Sequence, residues 1–248
     1  MSARLLLSGA IFAFAACSSS SDSAMAPARP EKRVVDVAKG DARHLVVVEI
    51  YQSQGCSSCP PAIENVNSIA ARDDILALDF AVTYWDYLGW ADTFAKPAYT
   101  ARQWDYAHAS GRGRVYTPQV VVNGREALVG NVKPELDSVI ARQGYLVGGP
   151  AIDVAGRQLV VGAGKAAAGT SVWAVDYDPR DQQVAIKAGE NGGRTLPHRN
   201  IVRRLTRLGA WTGARASFAL ALPENPAYRT AILIQQGVGG PIIAARKL

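Results

Sequence analysis

Two cysteines with two residues between them, Cys56-Ser-Ser-Cys59, are the side chains best placed to do chemistry in this chain. They follow His44-Leu-Val-Val-Val-Glu-Ile-Tyr, a β-branched and apolar run that reads as a buried strand, and a polar loop holding Gly55. The pair therefore falls where the next helix should begin. Unpaired N–H groups and the positive end of the helix dipole stabilise a thiolate there, so Cys56, at the exposed end, is expected to be the nucleophile. Cys59, one turn further in, is within reach to close a disulfide with it. Three readings stay open at this level: a thiol–disulfide exchange site, a structural disulfide, or half of a zinc site. A zinc site usually takes two more thiolates or histidines, and the sequence has no second cysteine pair.

The elements that must hold this pair can be read in outline. A helix from about Cys59 to Ala71 tolerates Pro60 and Pro61 only in its first turn. Ile75 to Val82 reads as a second buried strand, and Pro97 to Ala109 as a second helix. The connection between them carries Tyr84, Trp85, Tyr87, Trp90 and Phe94, either packed down as a cap or lining a groove for a peptide. After the basic loop Gly111–Arg114, Asn123-Gly124 joins two apolar runs, a strong hairpin signal, and Lys133 to Gln143 can form a closing helix. The order β-α-β-α-β-β-α predicts a mixed sheet with helices on both faces. Beyond Gly148-Gly149-Pro150 short alternating runs predict a mostly antiparallel, β-sandwich-like domain over 148–248 with one helix, roughly His198 to Leu208. On that helix Arg199, Arg203 and Arg207 recur every four residues opposite Ile201, Leu205 and Leu208, the pattern of a solvated amphipathic face or of a patch for an anionic partner.

The N-terminus reads as a targeting segment. Residues 1–16 have a short positive start and an apolar stretch too short to span a bilayer, and 17–30 are a serine-rich tether. Cleavage can follow Ala13-Phe14-Ala15. Alternatively Phe14-Ala-Ala-Cys17 resembles a lipobox, which would lipidate Cys17 and partner the chain with a membrane. Both exits predict an exported protein, where disulfides persist. The net charge of +6 is mild, and no nucleic-acid recognition motif is present, so nucleic acid is not an expected partner. His44, His108 and His198 are distant from the cysteines in sequence, and Cu(I) on two thiolates and a histidine is held as a further alternative.

Strand, Cys-x-x-Cys and helix, with Thr117-Pro118 leading into a strand and an Asn-Gly hairpin, resemble the thioredoxin superfamily. More closely, Ser53–Pro61, Tyr84–Trp90, Tyr116–Gly124 and Gly189–Val202 resemble a secreted bacterial and plant family catalogued as domain of unknown function 1223, although Thr83 and Pro197 depart from its pattern. The resemblance implies an α/β thioredoxin-like domain over 31–147. It also implies that Thr117-Pro118, as a cis-proline segment, packs against the cysteines and pairs its backbone with a bound substrate chain. Thioredoxins carry a buried carboxylate on the strand entering the site, so Glu49 is the candidate proton acceptor for Cys59, or else a carboxylate bonded to loop amides. Tyr84, Trp85, Trp90 and Tyr116 are the candidate substrate contacts. The activity implied is exchange between the Cys56/Cys59 pair and a thiol- or disulfide-containing substrate, with no cofactor: Cys56 attacks, a mixed disulfide forms, and Cys59 resolves it.

Overall fold

The computed structural model describes Met1 and residues 44–248. Val46–Gln52 (β1) is buried along its whole length because both of its faces are covered. Val46, Val48 and Ile50 point to one core, shared with Pro60–Ile69 (α1) and Lys133–Gln143 (α3). Val47 and Tyr51 point to the other, shared with Pro97–Ala109 (α2). Ile75–Ala81 (β2) pairs parallel to β1 in the register Val46↔Ile75, and it is equally buried. On the other side of β1 runs Gln119–Val122 (β3), antiparallel, followed by Glu126–Leu128 (β4). Asn123 and Gly124, both with positive φ, make the turn of that hairpin as their residue types predict.

The helix α1 shows what holds the elements around the cysteines. Its first two positions are prolines, and its N-cap, Cys59, makes no side-chain capping bond. A helix of 10 residues is marginal by itself. Ile63, Val66 and Ile69 are buried against the sheet, each worth about 1.5–3 kcal/mol, which outweighs a missing cap worth about 1 kcal/mol. Packing, not capping, fixes this helix and with it the cysteine turn.

The later elements are Ile152–Ala155 (β5), Gln158–Val161 (β6), Ser171–Asp178 (β7), Gln182–Ala185 (β8), Thr195–His198 (β9), Ile201–Ala210 (β10), Ala216–Ala219 (β11), Arg229–Gln235 (β12) and Ile242–Lys247 (β13). They do not keep to themselves. The main sheet is eight-stranded, in the order β13-β12-β7-β10-β2-β1-β3-β4. Four of its strands precede residue 148 and four follow it, so one continuous sheet runs across the boundary expected there. The physical reason lies at the outer edge of β2, where β10 joins it through Ile201↔Asp79. The Asn200 carbonyl accepts from Asp79 N at 3.0 Å, and Asn200 Nδ2 donates to the Ala77 carbonyl at 2.9 Å. A sandwich-like layer does exist within this arrangement. The sheet β11-β6-β5 packs on β7, β12 and β13 through Leu159, Val161, Val172, Trp211, Ile232 and Ile234.

The helix expected over His198 to Leu208 is two strands. Asn200, at φ 53°, turns β9 into β10, and β10 pairs antiparallel with β7 with register irregularities between Val202 and Arg204 and between Arg207 and Gly209. Those bulges insert extra residues and break the alternation of period two. The apolar residues then recur at spacings of three and four, which imitates a helix. Pro197 consequently sits in a strand rather than at a helix start. The arginines are occupied: Arg199 with Asp181, Arg203 over the Phe94 and Tyr228 rings, and Arg207 on Ser171 Oγ. Among the described residues, no helix is long and apolar enough to cross a membrane. The strand read at 31–37 and the candidate anchor Cys17 lie outside the described residues.

Candidate functional site

Cys56 and Cys59 are joined by a disulfide, with Cα atoms 5.5 Å apart, in the turn between β1 and α1. The turn is closed by Cys56 N donating to the Ser53 carbonyl at 3.1 Å and Cys59 N to the Cys56 carbonyl at 3.2 Å. Two hydroxyls reach the Cys56 sulfur. Thr117 Oγ1 donates to Sγ at 3.3 Å, and Ser58 Oγ lies 3.3 Å from it. Thr117 precedes Pro118 through a cis peptide bond, and its Oγ1 also accepts from Trp85 Nε1 at 2.7 Å. A relay thus runs from Trp85 through Thr117 to Cys56.

The expectation that Cys56 is exposed is corrected. Its exposure is 0%, like that of Cys59. Part of the cover comes from a segment far along the chain, the loop between β8 and β9. Glu190 Oε2 accepts from Ser57 N at 2.9 Å and from Ser57 Oγ at 2.7 Å. Buried Asn191 donates from Nδ2 to the carbonyls of Gln54 at 3.0 Å and Cys56 at 2.8 Å. A Cβ on Gly189 would stand 3.7 Å from Gly55 Cα and 3.5 Å from Trp90 Cβ, so this loop lies directly on the cysteine loop.

Glu49 is corrected as well. Alternation along β1 puts it with Val47 and Tyr51, on the face away from α1 and the cysteines. There it accepts from Arg102 Nε at 2.8 Å and closely from the Tyr106 hydroxyl. Arg102 also donates to Gln235 Oε1 at 2.9 Å. Burial pushes the Tyr106 and Tyr51 hydroxyls well above the ordinary tyrosine range. Burial opposes the Arg102 charge, but Glu49 and both tyrosines hold its pKa above the usual arginine value. This is a structural ion pair joining β1, α2 and β12. The β1 residues sharing the cysteines' core are apolar Val46, Val48 and Ile50.

The aromatic connection is mostly packed down. Tyr84 and Trp85 pack on the core, Tyr84 donates to Gln103 Oε1 at 3.1 Å, and Trp90 Nε1 donates to Gln54 Oε1 at 2.8 Å. Tyr116 receives Gln103 Nε2 on its carbonyl at 2.7 Å and lies under Arg112. Tyr87, at 79% exposure, is the large ring of this segment that faces solvent, and it was not among the expected contacts. Beneath the loop, Asp92 accepts from Gln54 N at 2.7 Å and Phe94 N at 2.9 Å, while burial pushes its carboxyl up to about 6. Among the described residues, surface hollows lie elsewhere: one lined by 146–153 and β13, one near Gly239–Pro241 and one between α1 and α3.

The three histidines do not gather at the cysteines. Buried His198 sits 3.1 Å from Asp79 Oδ2, and His108 lies against the Trp104 ring. No group of three His, Cys, Asp or Glu side chains among the described residues is arranged to hold a metal ion. Sequence reasoning left Glu190 and Asn191 open between a turn and a ligand loop, and did not single out Gln54 or Asp92. The signal available was the Gly-flanked Glu190-Asn191 pair, which marks a turn but not its destination.

A mixed eight-stranded sheet with few helices carries a bonded Cys-x-x-Cys turn ahead of a helix, overlaid by a distant loop. The chain belongs to the family described as protein of unknown function (DUF1223), which matches residues 47–235. No curated protein matches it significantly. Among solved structures it is similar to the crystal structure of a structural-genomics target from Agrobacterium tumefaciens, at 31% identity and a TM-score of 0.65, covering 84% of this chain and 94% of that one. HBP35 of Porphyromonas gingivalis shares the fold at 12% identity, with a TM-score of 0.57 over 85% of this chain and 76% of that one.

Proposed function

We propose that the protein is a thiol–disulfide oxidoreductase of thioredoxin-like fold working through Cys56 and Cys59. The observation that carries this reading is the Thr117 hydroxyl on the Cys56 sulfur, which sets a Thr-Pro segment against a disulfide at the mouth of α1. Supporting the fold are the strand order β4-β3-β1-β2 and the placement of α1 and α3 opposite α2. A substrate thiolate attacks one sulfur of the pair, the Cys56–Cys59 bond breaks, and a mixed disulfide forms. The second substrate thiol displaces it, leaving the substrate oxidised and the pair as two thiols. Run backwards, Cys56 attacks a substrate disulfide and Cys59 resolves the intermediate. The substrate is a thiol- or disulfide-bearing protein or small thiol, with Tyr87 as an exposed apolar contact beside the site. The protein is exported and anchored to the membrane through a lipid on Cys17.

Trapping tests the reading. Cys59→Ser protein incubated with a disulfide-bearing peptide should accumulate a mixed disulfide at Cys56, detected by mass spectrometry. The native pair should equilibrate with glutathione or dithiothreitol between about −120 and −270 mV. A pair that stays oxidised below about −300 mV and forms no mixed disulfide refutes the proposal and leaves a structural bridge.

A further inference from the structure

The oxidised centre carries a carboxylate where a thiolate would look for donors. Within the turn, the Cys59 N–H donates to the Cys56 carbonyl, Pro60 and Pro61 have no N–H, and the Ser57 N–H is taken by Glu190. Of the turn's backbone donors the Ser58 N–H remains, beside the Ser58 and Thr117 hydroxyls at the Cys56 sulfur. Glu190 is exposed, and no lysine or arginine of the described residues pairs with it. Its position is nevertheless fixed. Asn191 is clamped to the cysteine loop, Arg194 Nη1 donates to Asn191 Oδ1 at 2.7 Å, and Gly193 N donates to the Ile186 carbonyl at 2.8 Å.

Resting on the exchange reading above, we propose that Glu190 is a charge-tuning residue for the pair: held on Ser57 N–H and Oγ–H, it disfavours a thiolate at Cys56 and thereby favours the disulfide. Two effects act in the same direction. A negative charge one residue from Cys56 opposes a second one on its sulfur, and the Ser57 N–H that would stabilise that sulfur is already engaged. The same two bonds, the backbone one first, draw the Glu190 carboxyl below the ordinary glutamate range, so it is ionised at neutral pH. Reduction by glutathione takes two electrons from two glutathione thiols, which become glutathione disulfide. The Cys56–Cys59 bond breaks, and each sulfur gains a proton. Above the Cys56 pKa that proton is released to solvent, and it is this ionisation that Glu190 resists. Its influence on the equilibrium is therefore confined to pH near or above that pKa.

The test measures two quantities. In a Cys59→Ser background, the pH dependence of thiolate absorbance and of alkylation rate reports the Cys56 midpoint. In the two-cysteine protein, the glutathione equilibrium above that midpoint reports the constant. Glu190→Gln, which keeps an acceptor for Ser57 but removes the charge, should lower the midpoint by about one pH unit. It should also shift the constant about tenfold toward the dithiol, which is about 30 mV. Ser57→Ala, which removes only the hydroxyl donor and frees the carboxylate to swing away, should give a smaller shift of the same sign. A native pair that equilibrates normally, with midpoint and constant unmoved by Glu190→Gln, overturns this proposal and leaves the exchange reading standing. A rise in the midpoint overturns it too. A native pair that never equilibrates overturns both.

Discussion

Replacing Glu49 by glutamine separates a structural carboxylate from a catalytic one. Glu49 is 0% exposed and its partner Arg102 4%, at 2.8 Å. Removing one charge of a buried pair typically costs 3–5 kcal/mol because the other is left uncompensated. Two features place this variant near the lower end. Glutamine keeps an acceptor for Arg102 Nε, and the guanidinium also lies over the rings of Tyr106, Trp173 and Phe80 at 5.3, 5.5 and 5.9 Å. We expect a loss of about 3 kcal/mol by urea unfolding of the oxidised protein, equivalent to roughly 6–12 °C in Tm for a chain of this size. Glu49→Gln combined with Arg102→Met should cost less than the sum of the two single variants. The glutathione equilibrium of the cysteines should be unchanged, because Glu49 points to the other face of β1. The reasoning fails if Glu49→Gln leaves stability within about 1 kcal/mol of native while slowing thiol exchange tenfold or more with a changed pH profile.

Other perturbations read other parts of the structure. Asp92, with its carboxyl raised to about 6 by burial, is protonated in the folded state at pH values where the unfolded chain has already lost that proton. Stability from this group is full below about pH 4 and falls as pH rises to about 6, by roughly 2–3 kcal/mol. Asp92→Asn should flatten the profile of urea midpoints measured across that range, and an unaltered profile would count against a raised Asp92. Asn191→Ala takes the side-chain donor from the Gln54 carbonyl and leaves the Cys56 carbonyl with the Cys59 N–H alone, which should cost about 1–3 kcal/mol and raise the alkylation rate of reduced Cys56; an unchanged rate would mean the loop does not guard the sulfur. Adjacent glycines provide an internal control. A Cβ on Gly149 would overlap the Ile243 carbonyl oxygen and approach Ala244 Cβ to 2.9 Å, whereas at Gly148, φ 74°, it meets nothing within 4 Å. Gly148→Ala should cost about 1–2 kcal/mol from its left-handed backbone alone, and Gly149→Ala clearly more, by the same unfolding assay.

What could be read from the sequence was what neighbouring residues decide. The apolar run before Cys56, the prolines opening α1 and the Asn123-Gly124 turn each carry their geometry in their own chemistry. Glu49 shows how narrow that margin is: a shift of one residue along a strand exchanges its two faces, and the expected proton acceptor fell on the wrong one. The β10 segment was misread because two bulges replaced alternation by a spacing of three and four. The burial of Cys56 and the docking of β10 on β2 depend on partners more than a hundred residues away, as the 133-residue separation of Ser57 and Glu190 illustrates. Neither partner announces its destination.

That separation also sets a timetable. A ribosome adding about 5–20 residues per second takes roughly 7–27 s to travel from Ser57 to Glu190. During that interval both cysteines exist, but the loop that roofs them has not been made. The cysteines of a newly made chain are therefore uncovered, while those of the finished protein are joined and buried. The environment of the cysteine pair has two phases, one before about the final quarter of the chain arrives and one after.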